Sequence, residues 1–255
     1  MSEHARARGA RFNPHRWANP GRFARLAERA VPPLAWVTAA LLLVGLVGGL
    51  VLAPPDFRQG MSVKIIYVHV PSAWLGLFAY VSVAAASAAA LVWRHPLADI
   101  AAHAASPVGA AFTALALATG SLWGKPMWGA WWVWDARLTS MLVLLFLYLG
   151  HIALKGAFDD PAHGRTASAI LAVVGVVNVP IIKFSVDWWN TLHQTASVSR
   201  LDSPAMPMSM LWPLLVMAVG FTTFFVTVVL VRMRAGLLEA RIQALRTARL
   251  RREDA

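Results

Sequence analysis

The chain has 255 residues, of which 58% are hydrophobic and only 14% are charged. A soluble domain carries about 25% charged residues, so this composition excludes an ordinary soluble protein and predicts one whose apolar surface faces lipid. Cysteine is absent, which excludes disulfides, thiolate metal sites, iron–sulfur ligation and a Cys-x-x-Cys-His haem attachment site.

Six apolar stretches predict an all-α integral membrane protein with six transmembrane helices, because each is close to the roughly 20 residues that cross a bilayer as a helix. They cover residues 34–53, 72–93, 104–122, 138–154, 167–185 and 208–231. In the fifth stretch, Gly175, Asn178 and Pro180 predict a kinked helix. Asn178 is expected to form a hydrogen bond between helices.

The basic residues predict the orientation of a single membrane domain, 34–231, between a basic arm, 1–33, and a basic tail, 232–255. Of the 23 Lys and Arg residues, 17 lie in the arm, the tail and the two loops on their side of the membrane, and 6 lie on the opposite side. Positive residues favour the cytoplasm, so both termini are predicted to be cytoplasmic. The arm is much longer than the charged region of a signal peptide, so the first span is expected to be retained.

The net charge of +11 is concentrated at the two ends and between the apolar stretches. This distribution argues against a nucleic-acid partner, although the charge alone is compatible with one. Leu238, Ile242 and Leu245 recur at helical spacing in the tail, which predicts a surface helix attracted to anionic membrane lipid. Docking of a partner protein is the alternative.

A tryptophan-rich segment, 123–137, forms the predicted outer loop between spans three and four. Five of the twelve tryptophans lie there: Trp123, Trp128, Trp131, Trp132 and Trp134, followed by Asp135 and Arg137. Trp188 and Trp189 lie on the last outer segment. An aromatic belt at the membrane interface explains single tryptophans better than five within twelve residues. A rigid aromatic surface suits a large, planar, apolar ligand.

Two of the eight histidines, His69 and His193, lie at the outer face in the predicted topology, and the tryptophan segment lies between them in sequence. Imidazole is a common axial ligand of haem iron, and two can occupy opposite faces of the macrocycle. Two histidines without cysteine fall short of a typical zinc site. The sequence therefore predicts a haem site at the outer face, with these two histidines as metal ligands.

Basic residues at the outer face are candidates for pairing with the haem propionates, because Arg binds carboxylates in a bidentate fork. They are Arg137, Lys125, Lys183, Arg58, Lys64 and Arg200. A salt bridge with Asp135 is the alternative for Arg137. Two other groups of residues suggest metal chemistry, with less support. The methionines of 206–210 could bind copper(I), and His103 and His151 could relay haem across the membrane.

The string Trp-Gly-Lys-Pro-Met-Trp-Gly-Ala-Trp-Trp-Val-Trp-Asp-Ala-Arg-Leu-Thr, 123–139, resembles the signature of the WWD-domain haem-handling proteins. Within that group the chain is most similar to the branch of cytochrome c maturation protein C, the haem exporter protein C family. Six spans select this branch, together with Tyr-Val-His-Val-Pro-Ser-Ala-Trp at 67–74 and Phe-Ser-Val-Asp-Trp-Trp-Asn-Thr-Leu-His at 184–193. The resemblance covers roughly residues 34–231.

The resemblance implies a protein of the bacterial inner membrane that binds haem b non-covalently at the periplasmic face. His69 and His193 match the two axial ligands of the family, and 123–137 matches its haem-contacting loop. The implied role is delivery of haem to a periplasmic haem chaperone, maturation protein E, for c-type cytochrome biogenesis. The implied partners also include a small single-span protein, maturation protein D, and an ABC transporter formed by maturation proteins A and B.

Two other classes of function stay open. One is a cytochrome c haem lyase or synthase, although related enzymes have more spans and histidines than this chain. The other is a haem permease, but transporters typically gather their chemistry around a site at the middle of the membrane. No Gly-x-x-x-x-Gly-Lys-Ser/Thr loop occurs, so ATP hydrolysis is expected to come from a partner. We therefore expect a haem-handling protein and not an enzyme.

Overall fold

The structure, a computed structural model, describes residues 19–193 and 205–253. Within these residues it contains no strand, and six helical segments are long and apolar enough to cross a membrane. The helices are α1 (Pro20–Leu46, continued by a π-helical turn, Val47–Leu52), α2 (Ile66–Trp93, preceded by a 3₁₀ turn, Met61–Ile65), α3 (Pro96–Trp128), α4 (Ala136–Leu154), α5 (Pro161–Gly175), α6 (Asn178–Trp188) and α7 (Met208–Glu253). The predicted all-α architecture with six spans is confirmed.

Helix α3 extends further than its apolar stretch, 104–122, predicts. It begins with Pro96, whose fixed φ suits the first turn of a helix, and ends at Trp128. Gly129 follows with φ 76° and donates its N–H to the carbonyl of Lys125, a left-handed cap that favours glycine. Part of the expected loop is therefore helical, and only 129–135 connects α3 to α4.

The fifth span, predicted to be a kinked helix, is divided into two helices. Helix α5 ends at Gly175, a turn follows, and α6 begins at Asn178. The Asn178 side chain donates to the backbone carbonyl of Ser140 on α4, 2.9 Å away, and so forms the expected bond between helices. The break redirects the chain towards α4 before the segment that carries His193.

Residues 20–33 of the basic arm and 232–253 of the basic tail continue the first and last spans as helices. Asn19 caps α1 by accepting from the N–H of Arg22, and α7 runs without interruption to Glu253. These two helices pack along each other, with Glu28 and Arg234 4.0 Å apart in an exposed pair that contributes little stability. The arm before residue 19 lies outside the described residues.

The core lies where α2, α3 and α4 meet. Without a hydrophobic driving force between helices in lipid, association depends on close packing, and small residues allow it. Gly109 on α3 lies directly beneath the ring of Tyr148 on α4, whose hydroxyl donates to the carbonyl of Gly76 on α2, 2.8 Å away. Tyr148 therefore joins α4 to both α2 and α3 in the core.

We expect Gly109→Ala to lower the thermal unfolding midpoint of the detergent-solubilised protein, because the new methyl group would overlap the Tyr148 side chain. Overpacking of this kind costs about 1–3 kcal/mol. Gly156→Ala is the matched control, since no atom lies within 4 Å of its added Cβ. Equal midpoints for the two variants would contradict this packing.

Candidate functional site

His69 lies in the first turns of α2, with its ring against α3. Its Nδ1 is 3.0 Å from the hydroxyl oxygen of Thr119. That hydroxyl donates its single proton to the carbonyl of Leu115, 2.7 Å away, so it accepts from His69. The hydrogen-bond network therefore assigns the proton to Nδ1. In the neutral ring the lone pair is on Nε2, ready to bind a metal.

The close approach of the His69 ring to α3 depends on Gly120. A Cβ at this position would lie 3.0 Å from Cε1 of His69, tighter than ordinary van der Waals contact. The missing side chain leaves room for the imidazole beside the helix backbone. The His69 ring is thus held by its hydrogen bond to Thr119 and by its close packing against Gly120.

His193 is held differently, in the segment that follows α6. The helix ends at Trp188, and its backbone is extended at Trp189. The N–H of His193 donates to the hydroxyl of Thr191, 3.0 Å away, and this hydroxyl donates to Asp135 Oδ2. The Nδ1 of His193 is buried and has no hydrogen-bond partner among the described residues.

Asp135 joins this segment to the start of α4. Its Oδ1 accepts from the N–H of Leu138, 2.8 Å away, which caps the helix, and its Oδ2 accepts from Thr191. The residue is only 8% exposed, and both oxygens are engaged. These contacts give Asp135 a positioning role, while its predicted contact with haem stays a prediction.

The two predicted ligands lie close together although they are far apart in sequence. The ring centres of His69 and His193 are 6.3 Å apart. Two imidazoles on opposite sides of one metal ion, each with a metal–nitrogen bond of about 2 Å, have ring centres roughly 6 Å apart. The spacing therefore suits a single metal between the rings.

Trp123 and Trp128 line the same place. The ring centre of Trp123 is 6.3 Å from each histidine ring, and that of Trp128 is 5.7 Å from His193. The indole N–H of Trp123 donates to Gln59 Oε1, 3.2 Å away, which fixes the orientation of the ring. An aromatic wall thus lies beside both imidazoles.

A cavity of about 1380 Å³ opens from the histidine pair. It exceeds the range of about 300–1,000 Å³ for small-molecule pockets, so it can admit a large planar ligand. Six residues predicted from the sequence line it: His69, His193, Trp123, Trp128, Arg137 and Lys183. Trp74 and Phe78 on α2 and Leu215 on α7 extend the lining into the apolar part of the molecule.

The remaining predicted tryptophans do not line this cavity. They are Trp131, Trp132, Trp134, Trp188 and Trp189. Trp134 is 75% exposed, and its ring centre is 5.5 Å from that of Trp132. Trp188 and Trp189 are each more than half exposed. Contact of these five with haem stays a prediction.

Arg137 braces α6 from the first turn of α4. Its Nη2 donates to the carbonyls of Ile182 and Lys183, at 3.3 and 3.1 Å, and its Nε donates to the Ser185 hydroxyl, 3.3 Å away. No salt bridge with Asp135 forms among the described residues. Its predicted pairing with a propionate stays a prediction, as does that of Arg200, which lies outside the described residues.

Four residues of the site were not identified from the sequence: Gln59, Thr119, Gly120 and Thr191. Each acts through another side chain, and threonine or glycine in an apolar chain carries no signal of its own. The string Thr-Gly at 119–120, a polar and a small residue at the end of a span, is the only local feature that could have drawn attention.

Comparison with known proteins identifies the family of this chain. The sequence model of the family described as "Heme exporter protein C" matches residues 13–248. The chain belongs to the Heme exporter protein C family. It is 56% identical to the protein of that name from Bradyrhizobium diazoefficiens over 228 residues, 89% of this chain and 86% of the relative. It is 48% identical to that of Escherichia coli K12 over 221 residues, 86% of this chain and 89% of the relative.

Two other groups carry metal-binding side chains. The rings of His103 and His151 have centres 4.8 Å apart, less than two opposite ligands of one metal require, and His103 Nε2 is 3.4 Å from Asp99 Oδ1. Met206 and Met210 line the large cavity. Across the described residues, no cluster of three or more His, Cys, Asp or Glu side chains could hold a metal ion.

Burial lowers the pKa of His193 to about 4, and the positive charge of Arg137 adds to this effect, while the carboxylate of Asp135 opposes it. The imidazole is therefore neutral at pH 7, which is the form that binds a metal. The unfolded chain takes up this proton near pH 6.5, but the folded chain does so only near pH 4. The unfolded state thus binds more protons in this window, and stability falls as the pH falls through it.

Between pH 6.5 and pH 4 we expect the thermal unfolding midpoint of His193→Ala in detergent to fall less than that of the wild type. The variant lacks the group whose protonation favours unfolding. His163→Ala is the control, because its side chain is 76% exposed. If the wild type and His193→Ala lost stability equally over this range, burial of a neutral His193 would be disproved.

Proposed function

We propose that this chain binds haem at the periplasmic face of the inner membrane and delivers it to a periplasmic haem chaperone for c-type cytochrome biogenesis. The observation that carries the proposal is the spacing of the His69 and His193 rings, 6.3 Å, beside Trp123 and Trp128 at the mouth of a large cavity. Membership of the Heme exporter protein C family supports the same cargo. Haem is the substrate here, carried without covalent attachment.

The site residues fit an amphiphilic ligand with iron at its centre. The two imidazoles supply axial ligands, and the tryptophan rings and the apolar wall of α2 cover the macrocycle. Burial of apolar surface supplies about 25 cal/mol per Å², part of which is offset by the cost of association. Arg137 lines the cavity and can meet a propionate.

Saturation of the iron by two histidines suits carriage rather than catalysis, because no coordination position stays open for oxygen or substrate. ATP hydrolysis would come from the ABC transporter formed by maturation proteins A and B, with the small single-span maturation protein D in the same assembly. The excess of basic residues at the chain ends supports an orientation with the site outside. The basic ends would then contact anionic lipid at the cytoplasmic surface.

We expect the wild type purified with haem to show a low-spin spectrum, and His69→Ala and His193→Ala each to lose it, with lower haem retention. Removal of either imidazole leaves the iron five-coordinate. His163→Ala, at an exposed position, should keep the wild-type spectrum. Unchanged low-spin spectra and full haem retention in both site variants would refute axial ligation by this pair.

Co-expression separates delivery from the two other functions. With the haem chaperone and an apocytochrome present, we expect haem to accumulate on the chaperone only. Covalent haem on the cytochrome without other maturation factors would favour a synthase. Haem movement across vesicles that contain this protein alone would favour a permease. In both cases delivery to the chaperone would be rejected as the function.

A further inference from the structure

The two histidines of the site are held by unlike structures. We propose that His69 stays on the iron throughout, and that His193 is the ligand that leaves when haem is passed on, at a rate set by the bond between Thr191 and Asp135. The proposal rests on the function proposed above, because it concerns the same site. It assigns Thr191 and Asp135 as positioning residues for one ligand.

His69 is fixed at three points. Its backbone belongs to α2, which packs along α3 more extensively than any other pair of helices among the described residues. Its Nδ1 donates to Thr119, and its ring edge lies against the backbone at Gly120. Withdrawal of this imidazole from the iron would require breaking the bond to Thr119 and moving the ring out of its place against Gly120.

His193 has fewer backbone and hydrogen-bond constraints among the described residues, although its ring lies against Trp123 and Trp128. It lies five residues beyond the end of α6, in backbone that forms neither helix nor strand. Among the described residues its N–H bonds to Thr191, and its ring Nδ1 has no partner. A change in the backbone of 189–193 can therefore withdraw the imidazole while every helix stays intact.

The bond from Thr191 to Asp135 is the link between this segment and the helices. Because Asp135 is buried and also caps α4, its carboxylate is a fixed point. A hydrogen bond to a buried carboxylate is among the stronger ones in proteins. While it holds, His193 stays beside the iron, and once it breaks the segment is free to turn away.

The ligand exchange is balanced in atoms and electrons. The bond between iron and the imidazole nitrogen of His193 breaks, and the nitrogen keeps its electron pair. A base on the acceptor donates its own pair to the vacated position. The oxidation state of the iron and the bond to His69 do not change, so no oxidant, reductant or proton donor is needed.

Carbon monoxide binding tests which ligand leaves. In the reduced, haem-loaded protein CO binds only after an axial imidazole dissociates, so the rate at saturating CO measures that dissociation. Thr191→Val removes both the bond to Asp135 and the acceptor of the His193 N–H. We expect it to raise the rate by at least about tenfold, the effect of losing one charge-assisted hydrogen bond. Thr191→Ser, which keeps the hydroxyl, should restore the wild-type rate.

Thr119→Val and Thr119→Ser are the matched pair for His69. If His69 stays bound, both should leave the limiting CO rate nearly unchanged. His193→Gly should keep haem on His69 and recover a low-spin spectrum with added imidazole, and His69→Gly should not. Acceleration by Thr119→Val without acceleration by Thr191→Val would reverse the roles, and equal effects would rule out the asymmetry.

These results are distinct from failure of the proposed function. If the wild type bound no haem, or bound it without a low-spin spectrum, axial ligation by the pair would fail, and the order of ligand release with it. If the wild type were low-spin but the two threonine pairs behaved alike, haem binding would stand and only the asymmetry would fall. Unfolding midpoints of all variants, measured without haem, show whether a change in rate reflects general loss of structure.

Discussion

The carboxylate of Asp135 is the contact on which the arrangement of the site depends. One oxygen caps α4 by accepting from the N–H of Leu138. The other accepts from the hydroxyl of Thr191, two residues before His193. A buried carboxylate is costly unless its oxygens are hydrogen-bonded, and here both are. The same group therefore caps α4 and, through Thr191, positions His193, the proposed ligand that is distant in sequence. Arg137, the second residue of α4, holds α6 in the same region through its hydrogen bonds to the carbonyls of Ile182 and Lys183.

The position of His69, the other proposed ligand, depends on the packing of α2 against α3. Small residues allow α2 and α3 to approach closely, first at Gly76 opposite Thr113 and then at Gly120 opposite His69. The contact at Gly76 brings the two helices close together. Because they are close, the imidazole of His69 lies against α3 at Gly120. A rigid pair of helices thus supplies one half of the site, and a hydrogen-bonded segment supplies the other. The asymmetry between His69 and His193 follows from this division.

The number of spans and the broken fifth helix could be predicted, because apolar length and helix-breaking residues are local properties of the chain. The end of α3 was missed, since Gly124 and Lys125 interrupt the apolar run, but the cap is formed only at Gly129. The histidine pair followed from topology and resemblance. The residues that hold the pair could not be predicted, because Thr119 is 50 residues from His69 and Asp135 is 56 from Thr191. Such pairings exist only once the helices have packed.

The end of α3 also divides the tryptophans into two groups. Trp123 and Trp128 belong to the helix and line the cavity, so their rings face the histidine pair. Trp131 and Trp134 follow the cap at Gly129 and are 55% and 75% exposed, as expected of aromatic rings at a membrane surface. The aromatic belt and the ligand platform are therefore not exclusive interpretations of one motif. Because a helix ends in the middle of it, the same short segment presents aromatic rings both to the cavity and to the surroundings.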